Sequence, residues 1–303
     1  MNDGRQPPTL GFALRDAYGW ADLADLARDG RDLGYRALFL PEVGSRDTLA
    51  ALTGLAGEVS GQMLLGTGVV PLLSRDPGLL AMAAVTVQER SAGRLVLGLG
   101  TGPAVPGALD RLRSTVLALR TLFREGGATL AGERLRIDLV PDEPPPIWIA
   151  ALGPRAVRLA GEIADGVVLN WCTPERVAEA AGAIAQAAAD AGRDPARITI
   201  AVYVRAAIAR ETQGALLAAA AAYGSYPAYA RQFSAMGIDA TDPAAIVAAV
   251  CLTGEPDAAR VRLGAYHAAG AHIPVVYPVV RPRTGSRAPD PDEALASLSA
   301  LAP

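Results

Sequence analysis

A carboxylate at the end of an apolar run is the first candidate for chemistry in this sequence. Glu42 directly follows residues 37–41, a run typical of a buried strand. A carboxylate in that position can act as a general acid or base, or can position a ligand. A surface glutamate that caps a loop has the same pattern. Glu42 is therefore our candidate catalytic residue, with a structural role as the alternative.

Glycines within apolar runs are the second signal. Gly66 and Gly68 lie within residues 63–73, and glycine inside a strand marks a bulge, a ligand close to the backbone or a loosely specified strand end. Residues 98–102 read Gly-Leu-Gly-Thr-Gly, but a dinucleotide fingerprint would need glycine at Pro103 or Val105. That turn is either a tight connection or backbone close to a flat ligand.

The sequence Gly153-Pro154-Arg155 marks the point where a strand ends and a helix begins. Free N–H groups and the helix dipole favour an anion there, beside a guanidinium. An ordinary helix start with proline in its first turn and an exposed arginine is equally compatible.

Composition excludes several functions. All 28 basic residues are arginine, which removes Schiff-base chemistry and the P-loop lysine. Two cysteines, Cys172 and Cys251, and two histidines, His267 and His272, show no zinc-site spacing, so we expect reduced core thiols and no metal.

Charge and hydropathy limit the partners. The net charge is −3, no apolar run reaches the ~20 residues of a membrane span, and residues 1–8 do not resemble a signal peptide. We expect a cytoplasmic protein with a small-molecule substrate and with neither a nucleic-acid nor a membrane partner.

Apolar runs alternate with helix-period segments along the whole chain, which predicts a parallel sheet covered by helices. Eight such units fit an α/β fold, a (β/α)8 TIM barrel, as a single domain over residues 1–303. The period breaks between residues 128 and 146, which indicates a hairpin insertion, and residues 214–267 read as helical with several breaks. Functional groups of such barrels collect in the loops after the strands. The predicted strands are residues 9–14, 37–41, 63–73, 95–99, 147–152, 167–169, 198–208 and 273–280.

Three stretches together resemble the luciferase-like monooxygenase superfamily, and more closely its branch of coenzyme F420-dependent oxidoreductases. They are residues 65–71 with Arg75 and Pro77, residues 91–102, and residues 146–154 with 164–167. The resemblance implies a flavin or deazaflavin in the barrel mouth. It implies a cis peptide bond between Gly68 and Val69 behind the ring, and Glu42 beside the cofactor. The cofactor-binding residues that the resemblance and local chemistry indicate are Gly68, Val69, Thr101, Gly102, Gly153, Pro154, Arg155 and Asn170.

Departures from the superfamily pattern bear on the substrate. Relatives that oxidise a sugar phosphate carry histidine and glutamate where this chain has Val43 and Pro103. We therefore expect an F420-dependent oxidoreductase that transfers a hydride between deazaflavin C5 and an apolar or conjugated organic substrate. The alternatives are an FMN-dependent monooxygenase and a catalytically silent binding barrel. A homodimer is expected, and Arg75, Arg281 and Arg283 are candidates for holding the acidic tail of F420.

Overall fold

A computed structural model describes residues 9–102 and 105–303 of the chain. The strands are β1 (Gly11–Ala13), β2 (Ala37–Leu40), β3 (Leu64–Thr67), β4 (Val70–Pro71), β5 (Leu95–Gly100), β6 (Gly127–Leu130), β7 (Glu133–Arg136), β8 (Ile147–Ala150), β9 (Gly166–Asn170), β10 (Thr199–Ala207), β11 (Leu252–Thr253) and β12 (Ile273–Pro278). Within the described residues, eight parallel strands form a closed barrel in the order β1, β2, β3, β5, β8, β9, β10 and β12, with β12 pairing back to β1. The predicted (β/α)8 barrel is confirmed.

Helices surround the barrel. They are α1 (Trp20–Asp32), α2 (Thr48–Glu58), α3 (Pro77–Arg90), α4 (Ala108–Glu125), α5 (Pro154–Ile163), α6 (Pro174–Asp190), α7 (Gln213–Ser225), α8 (Pro227–Ala235), α9 (Pro243–Val250), α10 (Pro256–Ala268) and α11 (Pro291–Ala300). Several begin with proline after a capping side chain: the Asp76 carboxylate accepts from the Leu79 N–H, and the Thr173 hydroxyl from the Arg176 N–H. Such caps fix the residue at which these two helices begin.

Two insertions decorate the barrel. Strands β6 and β7 form the antiparallel hairpin predicted between residues 128 and 146. We call helices α7, α8 and α9 the helical cap. Their residues Leu216, Phe233 and Ile246 belong to one apolar cluster with Trp171, which follows β9, and Cys251, which follows α9. The predicted breaks in the helical stretch 214–267 are present as turns between α7, α8, α9 and α10, and the short strand β11 is a feature that the sequence analysis did not predict.

Aromatic side chains fill the barrel interior, and glycines make room for them. A Cβ on Gly66 would lie 2.3 Å from Cδ1 of Phe39, and one on Gly166 would lie 2.5 Å from Cε2 of Trp148. Gly66 is therefore required by internal packing, and no ligand is needed to explain it.

Arg94 closes the opposite, N-terminal end of the barrel. Its guanidinium donates to the carbonyls of Ser91 at 2.7 Å, Val59 at 2.9 Å, Ala56 at 3.1 Å and Met63 at 3.3 Å. Burial lowers the pKa of Arg94. One side chain therefore donates hydrogen bonds to four carbonyls, which lie at the end of α2 and in the segments before β3 and β5.

Replacement of Arg94 by methionine is expected to lower the free energy of unfolding by about 2–4 kcal/mol, because several carbonyls lose a charged donor at once. Urea unfolding measures this loss. The exposed Arg90, at the end of α3, is the matched control, and Arg90→Met should change the stability by less than about 0.5 kcal/mol. Equal stability of the two variants would contradict the assignment.

Candidate active site

The mouth of the barrel contains a break between β3 and β4, formed by Gly68 and Val69. Their peptide bond is cis, as the family resemblance implies, and both residues are half-exposed. The Gly68 N–H donates to the Leu40 carbonyl at 2.7 Å, and the Glu42 N–H donates to the Val69 carbonyl at 3.4 Å. Backbone from β2 therefore holds this segment, which we call the Gly68–Val69 floor, at the mouth.

Tyr203 packs directly beneath the floor. A Cβ on Gly68 would lie 1.6 Å from the Tyr203 Oη and 2.8 Å from its Cζ, so only glycine fits there with Tyr203 in place. The Tyr203 hydroxyl is buried and has no hydrogen-bond partner among the described residues. Burial, followed by the charge of Tyr277, raises its pKa. Tyr203 thus supports the floor by contact alone.

The Thr67 carbonyl and the Val69 side chain explain two more glycines. A Cβ on Gly98 would lie 3.1 Å from Val69 Cγ1 and 2.1 Å from the Thr67 carbonyl oxygen, and a Cβ on Gly100 would lie 2.7 Å from Val69 Cγ2. Gly98 and Gly100 therefore allow β5 to pass close behind the floor. Two of the three glycines in the run 98–102 are therefore explained by internal packing.

Glu42 lies beside the floor in an ion pair with Arg75. The Arg75 Nε is 3.0 Å from Glu42 Oε1, and its Nη2 is 2.5 Å from Oε2. The Glu42 side chain is 13% exposed and the Arg75 side chain is 11% exposed. Arg75 also pairs with Asp47 at 2.8 Å, and this hydrogen bond lowers the pKa of Asp47. Glu42 is therefore a bound, charge-paired carboxylate that positions its loop.

A second carboxylate, Asp16, fixes the loop that follows Glu42. Its Oδ2 accepts hydrogen bonds from the N–H groups of Val43 and Gly44, both at 3.0 Å, and of Ser45 at 2.9 Å. Asp16 is 3% exposed. The sequence analysis missed Asp16, which lies in the loop between β1 and α1. No local sequence pattern indicates that the N–H groups of residues 43–45 bind a side chain from that loop.

The N-terminus of α5 opens onto the same end of the barrel. Gly153 caps the helix in an extended conformation, Pro154 is its first residue, and no side chain caps it within the described part of the chain. Arg155 is exposed, with no hydrogen bond or ion pair to any described residue. Thr101 is half-exposed, and Gly102 has a φ of 69° in the turn after β5. These backbone groups are available to an anionic ligand.

Asn170 ends β9 and is occupied by neighbouring side chains. Its amide nitrogen donates to the Tyr229 hydroxyl at 2.9 Å, and its Oδ1 accepts from Arg205 Nη1. The amide therefore links the barrel to the helical cap. Asn170 as a whole is half-exposed.

Arg205 is a site residue that the sequence analysis did not identify. It lies in β10, is 4% exposed, and its guanidinium carbon lies 4.4 Å from the ring centroid of Trp171 and 5.0 Å from those of Tyr223 and Tyr277. The available signal was a charged residue within an otherwise apolar strand, which marks a binding or catalytic position more often than a packing one.

The arginines expected to hold an acidic tail already have partners. Arg281 pairs with Glu293 at 2.5 Å, and Arg283 with Asp22 at 3.3 Å. Arg75 likewise pairs with Glu42 and Asp47. Arg155, predicted at the start of α5, is therefore better placed than these three arginines to meet a ligand anion.

The cysteines and histidines have structural environments. Cys172 and Cys251 are buried and unpaired, and burial raises the pKa of each thiol to about 12. The His272 Nδ1 accepts from the Ile200 N–H at 2.9 Å. Within the described residues there is no cluster of metal-ligating side chains, and none of the described helices has the length and hydropathy of a membrane span.

Together, the fold and the mouth define a (β/α)8 barrel with a candidate ligand-binding face at the carboxyl ends of its strands. The chain belongs to the luciferase-like monooxygenase family, whose model matches residues 7–272.

Relatives of known activity match about half of their own length. The chain is 32% identical over 191 residues to the F420-dependent glucose-6-phosphate dehydrogenase of Nakamurella multipartita, covering 54% of this chain and 56% of the relative. It is 30% identical over 188 residues to the 5,10-methylenetetrahydromethanopterin reductase of Methanolobus tindarius, covering 58% and 57%.

Solved structures share the fold over nearly the whole chain. An F420-dependent secondary alcohol dehydrogenase in complex with an F420-acetone adduct superposes with a TM-score of 0.79 at 16% identity, covering 98% of this chain and 99% of that one. A type II Baeyer-Villiger monooxygenase from Pseudomonas putida in complex with FMN gives 0.73 at 17% identity, covering 98% and 97%. At these identities the likeness concerns the fold alone.

Proposed function

We propose that this protein is an F420-dependent oxidoreductase that transfers a hydride between C5 of the deazaflavin and an organic substrate. The observation that carries the proposal is the half-exposed Gly68–Val69 floor at the barrel mouth. The proposal is supported by the 32% identity to an F420-dependent glucose-6-phosphate dehydrogenase over 191 residues. FMN is the alternative cofactor, because an FMN complex shares the fold.

The residues of the mouth fit a planar ring with an anionic linker. The ring would rest on Gly68 and Val69, which are half-exposed. The linker phosphate would lie at Gly153 and Pro154, where the helix dipole favours an anion, with Arg155 beside it. Thr101, Gly102 and Asn170 would complete the set of cofactor contacts. When bound, the deazaflavin supplies a hydride acceptor or donor at C5.

The chain's own contribution is positioning and the exclusion of water. Glu42 neutralises Arg75 and so fixes the loop whose N–H holds the Val69 carbonyl. We propose that Glu42 acts as a positioning residue through this contact. A role in proton transfer would require Glu42 to leave its ion pair.

An apolar or conjugated substrate suits the aromatic side chains that the helical cap and β12 contribute. The rings of Tyr223, Tyr226 and Tyr229 contact one another on the helical cap, with centroids 4.7–6.4 Å apart, and Tyr277 is half-exposed. Val43, 74% exposed, stands where sugar-phosphate oxidisers carry histidine, whereas Pro103 lies outside the described residues.

Titration of the purified protein with F420 and with FMN, in oxidised and reduced forms, tests the proposal. We expect saturable binding of F420, read by its fluorescence, and substrate-dependent oxidation of the reduced form. Preferential FMN binding with oxygen consumption would replace the proposal by the monooxygenase alternative. Binding without turnover of any enone, imine or alcohol would favour a silent barrel.

Replacement of Arg155 by methionine is expected to weaken F420 binding about 3- to 10-fold, because one charge-assisted contact to the linker is lost. The matched control is Arg158→Met, one turn further along α5, where Arg158 pairs with Glu162. Equal affinities of the two variants, measured by the same fluorescence titration, would remove Arg155 from the phosphate site.

A further inference from the structure

The charge of Arg205 has no acidic partner in the part of the chain that the structure describes. The residue is 4% exposed, and its hydrogen-bond acceptors are the Asn170 amide oxygen and the Tyr223 hydroxyl, the latter at 3.4 Å. Both acceptors are neutral. A buried cation that lacks a counter-ion is unfavourable unless another group compensates it.

Two partly buried arginines of this chain are compensated differently. Arg75 forms ion pairs with two carboxylates, and Arg94 donates to four backbone carbonyls. Arg205 instead lies against the rings of Trp171, Tyr223 and Tyr277. Cation–π contacts offset part of the desolvation and hold the guanidinium plane in one orientation. They leave its hydrogen-bonding edge directed at the half-exposed Asn170.

The position of Arg205 relates it to the proposed cofactor site. Strand β10 lies four strands from β3 in either direction around the barrel, so the two strands face each other. Tyr203, which contacts Gly68, and Arg205 are two residues apart on β10, so both side chains point to the same face of that strand. Arg205 pairs in register with Tyr277 near the carboxyl end of β12. Arg205 is therefore one side-chain layer closer to the mouth than Tyr203, on the wall across from the floor.

We propose that Arg205 is a specificity-determining residue that binds the carboxylate of a planar, conjugated carboxylic acid. The carboxylate replaces the Asn170 amide oxygen at the guanidinium, so a hydrogen bond from the cation to a neutral acceptor becomes an ion pair between two opposite charges. The surrounding tyrosine rings contact the conjugated part of the same molecule. That this molecule is the substrate rests on the proposed function, whereas the binding itself does not.

Two probes of the same shape separate charge from packing: trans-cinnamate and its neutral amide, cinnamamide. Calorimetric titration of the cofactor-free wild-type protein is expected to give at least 10-fold tighter binding of cinnamate, with a preference that falls as the salt concentration rises. In Arg205→Met the preference should fall below 3-fold. Arg231→Gln removes an exposed arginine from α8 and should keep the wild-type preference.

A second variant, Asn170→Asp, keeps the shape of the side chain and supplies an internal carboxylate to Arg205. We expect it to abolish the cinnamate preference and to raise the melting temperature, whether or not Arg205→Met folds. Equal binding of the two probes, no measurable cinnamate binding at millimolar concentration, or an unchanged preference in Asn170→Asp would overturn the proposal.

The acidic tail of F420 is the competing source of a carboxylate. Fluorescence titration of F420 should give the same affinity, within 2-fold, for wild type and Arg205→Met. A loss of 10-fold or more, together with equal binding of the two probes, would assign Arg205 to the cofactor instead. Failure of wild type to bind F420 would refute the proposed function, while the cinnamate measurement would stand by itself.

Discussion

Gly68→Ala is expected to abolish measurable F420 binding and to lower the free energy of unfolding by about 2–4 kcal/mol. The added methyl group would occupy the position of the Tyr203 Oη, 1.6 Å from the ideal Cβ. Either the floor or Tyr203 must move, and the interior around Tyr203 is close-packed. F420 fluorescence titration and urea unfolding measure the two effects.

A double variant separates this contact from a general effect of the substitution. Tyr203→Phe removes a buried hydroxyl that lacks a hydrogen-bond partner among the described residues, so this change alone should be neutral or slightly stabilising. Combined with Gly68→Ala, it should restore part of the lost stability because the hydroxyl no longer clashes with the added methyl group. The rescue should be incomplete because the ring carbon Cζ still lies 2.8 Å from that methyl group. Gly182→Ala, in α6 with open space around its Cβ, is the control and should not destabilise. Wild-type F420 binding by Gly68→Ala would contradict the role of the floor.

Glu42→Gln is expected to weaken F420 binding at least 10-fold and to lower the free energy of unfolding by about 2 kcal/mol. The substitution leaves Arg75, 11% exposed, with the more exposed Asp47 as its only carboxylate partner among the described residues. The loop that holds the Val69 carbonyl then loses one of its two carboxylate anchors, and Asp16 remains. Equilibrium unfolding of Glu42→Gln, Arg75→Met and the double variant gives the coupling energy of the pair directly.

The matched control for Glu42 is Asp47→Asn, which removes the other carboxylate of Arg75. The Asp47 side chain is 47% exposed, so its loss should change stability by less than about 1 kcal/mol. Because Arg75 lowers the pKa of Asp47, that contribution is present above the ordinary aspartate pKa and disappears as the pH falls through the lowered value. Independent, additive effects of Glu42→Gln and Arg75→Met would show that the ion pair does not position the floor.

The barrel and its insertion could be predicted from the sequence because their signals are local. Apolar runs, the proline at the start of α5 and the broken period before β8 each belong to one segment. The strand predicted over residues 63–73 is the exception, because the structure divides it at Gly68 and Val69 into β3 and β4 and ends it at Pro71. The cis bond between Gly68 and Val69 followed from family resemblance, since glycine content alone left a bulge, a ligand contact and a loose strand end open.

The remaining site features depend on residues far apart in the chain. Gly66 is glycine because of Phe39, and Gly68 because of Tyr203, 135 positions further along. The Arg205 environment joins β9, β10, β12 and the helical cap. Sequence spacing cannot show such contacts, although the charge of Arg205 within an apolar strand signals that position.

A crystal structure of the protein with F420 tests most directly whether a redox ring rests on the segment between β3 and β4. We expect one face of the deazaflavin in contact with Gly68 and Val69 and the linker phosphate at the N–H groups that begin α5. A ring bound elsewhere, with that segment covered by protein side chains, would contradict the assignment of this mouth as the cofactor site.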